Sequence, residues 1–311
     1  MNTPLSMHGA VPLSHLGVIG ARGADAAKFL QGQLTNDVVT LGTSQLRLAG
    51  FCSAKGRLQA SFLASSASAD EFTLVCSASV LPATLKRLSM FVLRAQCKLR
   101  DATAETALWG LSGDTARAQS GDLPVWGRRE TEGTTTVRLP DASGVARCIV
   151  SAPGDALVSA WPAATLDQWR WLEVQSGLPM IEAATVDQFV PQMLNYEIVG
   201  GVDFQKGCYP GQEVVARSQY RGTIKRRMFL FDLAAAAAPG QEVFHSDDAS
   251  QPAGMVVNAA LRPDGSGWSA LVEVKLAALG SGTLHLGAAD GAVLRLGALP
   301  YGVVADAEQP A

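Results

Sequence analysis

Apolar residues in the N-terminal third recur with two different periods, and each period predicts one type of element. Helical spacing occurs where Ala26, Phe29, Leu30 and Leu34 form one apolar stripe behind Asp25, which suits a helix cap or first turn. Short apolar runs predict strands, two of them joined across a polar stretch as a hairpin. This order of elements is typical of an α+β domain. The predicted elements are a helix at 25–34, strands at 58–64 and 71–75, a helix at 81–91, and strands at 97–100 and 107–111.

The remaining two thirds of the chain combine one clear helix with many short strands. The helix at 166–176 ends at Gly177, with Pro179 shortly after it, and Trp169 and Leu172 share one of its faces. Short apolar runs separated by glycine-rich turns favour a small C-terminal β-barrel or sandwich. The predicted strands lie at 135–139, 146–150, 252–259, 268–275 and 292–296.

Composition indicates a folded protein of two or three domains. The chain has 311 residues, of which 48% are hydrophobic and 17% charged, and this balance excludes a disordered polymer. No apolar run approaches the ~20 residues that a membrane helix needs. The first six residues lack the basic region and apolar core of a signal peptide. We therefore expect a cytoplasmic protein without a membrane partner.

Charge is distributed unevenly along the chain. The net charge is −3, yet residues 203–227 hold six basic and two acidic residues, a local +4 that leaves −7 for the rest. Such a segment suits an anionic ligand or a nucleic acid, and it equally suits a solvated face at a domain junction. Because the protein as a whole is acidic, direct binding of nucleic acid is not expected. The basic residues are Lys206, Arg217, Arg221, Lys225, Arg226 and Arg227.

The five cysteines do not form a recognisable metal site. Their number is odd and no C-x-x-C pair occurs, whereas structural zinc sites and iron–sulfur clusters usually need closely spaced ligands. We therefore expect no resident metal. Cys76 and Cys97 lie in apolar, strand-like surroundings and are expected to be buried.

One cysteine stands apart, because Cys208 follows Lys206 by two residues and precedes a predicted helix start. Pro210 suits the first helical position, and Glu213 then falls in the first turn. A thiol at the positive end of a helix, with Lys206 and Arg217 close by, should have thiolate character and be reactive. The alternative is a glycine-flanked turn whose cysteine is simply buried.

The segment KGCYPGQE at 206–213 resembles the K-G-C-Y-x-G-Q-E motif of the YgfZ family. That family comprises folate-binding proteins related in fold to the aminomethyltransferase (T-protein) of glycine cleavage. The resemblance covers most of residues 15–232, and its LTND run is shared with the aminomethyltransferases. Further matching stretches are FLQGQLTNDV at 29–38, AKGR at 54–57, GLPMI at 177–181, FVPQ at 189–192, and Asn195.

The resemblance implies an α+β fold of the aminomethyltransferase-like, folate-binding type. Intertwined subdomains would surround a central hole that admits tetrahydrofolate or a derivative, with a C-terminal β-barrel. We accordingly expect residues 1–225 to form an α+β folate-binding region of two subdomains, whose boundary falls within 110–160. Residues 226–311 would form the barrel.

The implied function is that of an accessory protein for iron–sulfur proteins. It would bind reduced folate and help assemble or maintain clusters in client enzymes, including tRNA-modifying ones, with client or assembly proteins as partners. A classical enzyme is not the first expectation. The alternative activity is that of a tetrahydrofolate-dependent aminomethyltransferase, a one-carbon transferase. A thiol hydrolase or transferase with a Cys/His pair is a further alternative, although all four histidines are far from Cys208 in sequence.

Site residues follow from the same resemblance. Cys208 would be the reactive thiol or a transient cluster contact, adjusted by Lys206, with no resident metal ligand. Trp169 would offer a flat face to the pterin, or else simply anchor its helix in the core. Some family members carry a second aromatic residue where this chain has Leu16. The remaining folate-site candidates, several of which could instead satisfy turn and loop backbone groups, are Asn36, Asp37, Lys55, Arg57, Gln192, Asn195, Tyr209, Gln212, Glu213 and Arg217.

Overall fold

The computed structural model describes residues 7–154 and 161–303. Residues 1–6, from which we expect no signal peptide, lie outside these ranges. The first part of the chain contains strands and helices in alternation. They are β1 (Gly9–Pro12), β2 (Leu16–Arg22), α1 (Ala26–Gln31), β3 (Leu46–Cys52), β4 (Leu58–Ser68), β5 (Glu71–Ser77), α2 (Leu81–Val92), β6 (Lys98–Asp101), β7 (Thr106–Ser112), α3 (Gly113–Ser120), β8 (Arg128–Thr131), β9 (Thr134–Ala142) and β10 (Val145–Pro153).

The second part begins with two helices and ends in strands. Its elements are α4 (Leu166–Gln175), α5 (Gln212–Tyr220), β11 (Arg226–Leu233), β12 (Glu242–His245), β13 (Gly254–Leu261), β14 (Trp268–Lys275), β15 (Leu284–Leu286) and β16 (Ala292–Leu296).

Two antiparallel sheets are intertwined in the first part. One has the strand order β3-β4-β5-β2-β6 and the other β1-β7-β10-β9-β8, so the chain enters the second sheet, builds the first, and then returns. A shared core joins them, since Val18 and Val75 of one sheet pack in the same cluster as Leu139 and Ile149 of the other. The space between the sheets is therefore built by residues from both.

Helix α4 connects the second sheet to the C-terminal strands. Trp169 lies on one side of it and packs on β7, where a Cβ on Gly110 would lie 2.6 Å from the indole ring. Trp171 lies on another side and donates a hydrogen bond from Nε1 to Ser269 Oγ in β14 (3.2 Å). The two tryptophans thus fix α4 between the second sheet and the C-terminal strands.

The C-terminal strands close into a six-stranded barrel in the order β11-β14-β13-β12-β15-β16. Its interior is apolar, with Phe231, Val243 and Val272 among the buried side chains. Asn195 fastens the barrel to the preceding segment by donating from Nδ2 to the Met228 carbonyl (2.7 Å). The predicted barrel and the predicted hairpin of β4 and β5 are confirmed.

The helix after the cysteine motif starts later than predicted. Pro210 does not occupy the first helical position, because Gly211 takes a left-handed conformation (φ 79°) as the N-cap and α5 begins at Gln212. Glu213 does lie in the first turn. The elements without a counterpart among those predicted are the polar helix α3 and the strands β1, β2, β3, β8, β11, β12 and β15. Among the described helices, none is long and apolar enough to cross a membrane.

Candidate functional site

The cysteine loop holds an exposed thiol between two buried neighbours. Cys208 is exposed, whereas Lys206 and Tyr209 are only 8% and 7% exposed. The Lys206 ammonium donates to the carbonyls of Gln31 (2.5 Å), the last residue of α1, and Leu34 (2.7 Å), in the turn after it, and lies 4.8 Å from the centre of the Tyr209 ring. A cation is favourable at the carbonyl end of a helix and over an aromatic face. The loop is therefore anchored on both sides of the thiol.

Burial also changes the titration of the lysine. It lowers the pKa of Lys206 to about 8, although the negative charges of Asp37 and Asp203 act in the opposite direction. Lys206 is thus a partly desolvated cation whose electrostatic neighbours include two carboxylates.

The AKGR turn supports the start of α5 through a close approach of two glycines. Both Gly56 and Gly211 have positive φ, and a Cβ on Gly211 would lie 2.6 Å from the Gly56 nitrogen and 2.4 Å from the Ser53 carbonyl. Only glycine fits at this contact. Lys55 is exposed beside the turn, and Arg57 donates to the Gln188 carbonyl.

Asn36 and Asp37 fold the turn after α1. Asn36 is buried, and its Nδ2 donates to the carbonyls of Leu48 and Gly200, both at 2.7 Å. Asp37 accepts hydrogen bonds from the backbone of Val39 and from Thr40. Burial alone would raise the pKa of Asp37, but these hydrogen bonds and the charge of Arg47 lower it below its ordinary value. Both side chains are therefore engaged with the protein itself.

Gln192 and Asn195 are completely buried and hold neighbouring elements together. The Gln192 amide donates to the Val215 carbonyl in α5 (2.8 Å), and Asn195 donates to the barrel as described above. On α5, Gln212 is half-buried while Glu213 and Arg217 are exposed. Of the predicted site residues, Lys206 and Tyr209 thus lie against each other beside Cys208, whereas Gln192 and Asn195 hold α5 and the barrel.

The six basic residues of segment 203–227 do not form one patch. Arg226 pairs with Glu273 and Arg227 pairs with Glu197, while the Lys206 ammonium is turned onto α1. The exposed basic side chains of the segment are Arg217, Arg221 and Lys225.

A cavity of about 280 Å³ lies elsewhere, at the junction of both sheets, α4 and the barrel. Its walls are mostly apolar, and the GLPMI segment supplies Leu178, Pro179 and Met180. That segment is held in place because Asn258 exchanges two hydrogen bonds with the backbone of Met180, each 2.9 Å long. None of the folate-site candidates named from sequence lines this cavity. The charged or titratable side chains that do line it are His15, Arg147, Arg170, Glu173, Glu182 and Tyr196.

Arg147 is a buried cation in the cavity wall. It projects from β10, is 1% exposed, and donates from Nε to the Pro140 carbonyl (3.1 Å). Its guanidinium carbon lies 5.7 Å from the centre of the Trp169 ring. Burial lowers the pKa of Arg147 to about 10, while the charge of Glu173 acts to raise it. Of the described residues, none accepts a hydrogen bond from Nη2 of Arg147.

Glu173 is the acidic counterpart of Arg147 in this wall. Its carboxylate accepts from Nε1 of Trp169 (2.8 Å) and lies 3.0 Å from Nε2 of His15. Trp169 is only 2% exposed and stands behind these groups rather than in the wall itself. Nearby, burial raises the pKa of Glu182, whose carboxylate accepts from Asn258 (2.9 Å).

Sequence reasoning missed Arg147 and Glu173. A signal for Arg147 was available, since it interrupts an apolar strand run at 146–150 where a charge is costly unless it has a purpose. Glu173 follows Trp169 by four residues on the same helix and therefore shares its face. Nothing local linked either residue to a cavity.

The other cysteines differ from Cys208. Burial raises the pKa of Cys52, Cys76 and Cys148 to about 12 in each case. Cys76 is buried as predicted, whereas Cys97 is only half-buried because it precedes an edge strand, β6. Within the described ranges, no group of three His, Cys, Asp or Glu side chains is arranged to hold a metal ion.

Comparison with known proteins defines the class first. The family model described as the GCVT N-terminal domain matches residues 6–121. The aminomethyltransferase T of the glycine cleavage system from Bartonella henselae superposes with a TM-score of 0.73, covering 94% of this chain and 86% of that protein at 18% identity. The protein therefore has the aminomethyltransferase-like α+β fold with its C-terminal barrel.

Sequence relatives then define the family. The tRNA-modifying protein YgfZ of Edwardsiella ictaluri is 32% identical over 276 residues, 77% of this chain and 78% of the relative. The protein of the same name from Shigella boydii is 33% identical over 228 residues, 70% of this chain and 69% of the relative. An uncharacterized protein of Haemophilus influenzae is 30% identical over 84% of this chain. The chain belongs to the YgfZ family.

Proposed function

We propose that this chain is a folate-binding accessory protein of the cytoplasm that supports the assembly or maintenance of iron–sulfur clusters in client enzymes. The observation that carries the proposal is the exposed Cys208 on a loop whose adjoining residues, Lys206 and Tyr209, are buried and anchored. A structural cysteine is normally buried, as Cys52 and Cys76 are. Fixing the backbone around an exposed thiol presents it to a partner in one geometry.

The cavity supports the folate part of the proposal. Its volume of about 280 Å³ lies just below the roughly 300–1,000 Å³ range of small-molecule sites. Apolar walls with a few converging polar groups suit a flat heterocycle such as a reduced pterin. Arg170 is exposed and lines the cavity, so the acidic tail of a bound ligand could extend from the cavity to solvent beside this cation. Tetrahydrofolate or a derivative combines such a ring and tail.

The role proposed for Cys208 in cluster transfer follows from the number of ligands that a cluster needs. A cluster is normally held by several thiolates, and among the described residues no three His, Cys, Asp or Glu side chains are grouped so that they could hold a metal ion. In the proposed function the cluster is cargo, so Cys208 supplies one contact and the client or assembly protein supplies the others. The relatives named tRNA-modifying proteins favour tRNA-modifying enzymes among the clients.

The test compares Cys208→Ser with Cys97→Ser, a matched change at a half-buried thiol. In cells lacking the protein, the Cys97 variant should restore the activity of iron–sulfur tRNA-modifying enzymes and the Cys208 variant should not. Both purified variants should bind 5-formyltetrahydrofolate as the wild type does, since Cys208 does not line the cavity. If Cys208→Ser restored the enzyme activity fully, the thiol of Cys208 would have no part in the proposed function.

The fold match favours a second candidate, a tetrahydrofolate-dependent aminomethyltransferase. This activity would not need Cys208. Incubation with aminomethylated lipoyl carrier protein and tetrahydrofolate separates the two candidates, because turnover that persists in Cys208→Ser supports the transferase. Absence of turnover together with folate binding supports the accessory role.

A further inference from the structure

We propose that Arg147 and Glu173 together read the lactam edge of the heterocycle that occupies the cavity. Arg147 donates to the ring carbonyl oxygen, and Glu173 accepts from the neighbouring ring N–H. The inference rests on the proposed folate function and assigns the residues that select the ring.

Arg147 lines a space for a ligand and carries a buried donor without a hydrogen-bond partner among the described residues. The side chain is 1% exposed and lines the cavity, yet none of the described residues accepts from its Nη2. A buried, unpaired donor on a charged group costs free energy, so native proteins usually satisfy it. A ligand oxygen in the cavity would supply the missing acceptor.

Glu173 has acceptor capacity to spare. A carboxylate offers about four lone-pair positions, and here it accepts from Trp169 Nε1 and lies within hydrogen-bond distance of His15 Nε2. The remaining positions can accept from a ligand. Among the described residues, Glu173 pairs within 4 Å with His15 and not with Arg147. The charge of Glu173 acts on Arg147, yet the two side chains are not joined in a direct ion pair.

This arrangement selects a neutral polar edge rather than an acidic tail. A carboxylate placed against Arg147 would also meet the negative charge of Glu173, which disfavours it. A lactam presents a carbonyl acceptor and an N–H donor side by side, and so complements one cation and one anion. The exposed Arg170 is better placed for a carboxylate tail, since that charge then stays hydrated.

The first experiment titrates two ligands into wild type, Arg147→Met and the control Arg170→Met. The ligands are 5-formyltetrahydrofolate and 5-formyl-6-methyltetrahydropterin, which lacks the p-aminobenzoylglutamate tail and therefore every carboxylate. Arg147→Met should weaken both ligands equally, by at least about tenfold. Arg170→Met should weaken only the glutamate-bearing ligand. Unchanged binding by Arg147→Met, or a loss confined to the glutamate-bearing ligand, would overturn the inference.

Two further measurements distinguish a loss of ligand contacts from a loss of folding. Without ligand, thermal unfolding of Arg147→Met shows whether the variant folds, because the substitution removes the hydrogen bond to Pro140 and leaves Glu173 without the charge of Arg147. If the variant does not fold, the inference is tested with the wild-type protein, by measuring how well other ligands displace bound 5-formyltetrahydrofolate. Folic acid should compete better than aminopterin, which carries an amino group in place of the ring carbonyl, and the reverse order would overturn the inference. Failure of wild type to bind 5-formyltetrahydrofolate would instead refute the proposed folate function.

Discussion

At the scale of single residues, Lys206 holds the loop that carries Cys208 by binding to another part of the fold. Its ammonium group contacts the carbonyl of Gln31, the last residue of α1, and the carbonyl of Leu34 in the turn that follows. The Gln31 carbonyl lacks a partner within its own helix, and a buried cation satisfies it. The same contact fixes the backbone two residues before Cys208. Stability and thiol presentation are therefore linked at this position.

Changing Lys206 to methionine should destabilise the protein. The variant keeps the length of the side chain but leaves the carbonyls of Gln31 and Leu34 without their donor, at a cost of about 1–3 kcal/mol. Urea unfolding measures this change. Lys225→Met, at an exposed position, is the control and should stay within about 0.5 kcal/mol of wild type. Unchanged stability of Lys206→Met would contradict the anchoring role.

The stability that depends on Lys206 should also vary with pH. Its pKa is about 8 in the folded protein, against an ordinary value of 10.5. Between these values the unfolded chain binds more protons than the folded protein, so stability rises as the pH increases from about 8 to 10.5. Relative to Lys206→Met, the wild type should gain on the order of 1 kcal/mol over this window. Urea unfolding at about pH 7 and about pH 10 tests the sign, and a constant difference would contradict it.

At the scale of elements, two short turns determine where α5 begins. The AKGR turn and the residues before α5 meet at Gly56 and Gly211, so that two segments far apart in sequence share one contact. Gly211 also ends the loop that carries Cys208. The position of the thiol is therefore set by backbone geometry as well as by Lys206.

Replacing Gly211 with alanine should disturb this contact strongly. The new Cβ would lie 2.4 Å from the Ser53 carbonyl at a residue with φ 79°, and we expect a loss of at least about 2 kcal/mol. Gly207→Ala is the matched control in the same loop, because nothing lies within 4 Å of its Cβ position. Thermal unfolding compares the two variants. Equal midpoints would show that the close approach is not required.

At the scale of the whole molecule, the sequence predicts elements better than it predicts assembly. The hairpin of β4 and β5, helix α4 and the barrel follow from periodicity and turn residues. Helix α3 was missed because its sequence GDTARAQS has no apolar stripe, and β15 because three residues show no period. The cavity lies beyond such reasoning, since its wall joins residues from His15 to Trp268. The cysteine motif, being continuous in sequence, could be found without the fold.

The attachment of the barrel to the rest of the protein depends on Asn195. Asn195 has a left-handed backbone (φ 56°) and donates to the Met228 carbonyl in β11, so conformation and hydrogen bond both depend on one residue. Asn195→Gly keeps the conformation and loses the bond, whereas Asn195→Ala loses both. We expect a loss of about 1 kcal/mol or more for glycine and a larger loss for alanine.

Hydrogen exchange in β11 distinguishes a local effect from a global one. If the bond holds the barrel onto the preceding segment, both variants should lose protection in β11 (Arg226–Leu233) to a greater degree than in β4. The partner contact from Arg227 to the Gln192 carbonyl (3.0 Å) remains in both variants, so the barrel should stay attached and unfolding should stay a single transition. Equal loss of protection in β4 and β11 would mean that Asn195 stabilises the whole molecule rather than this junction.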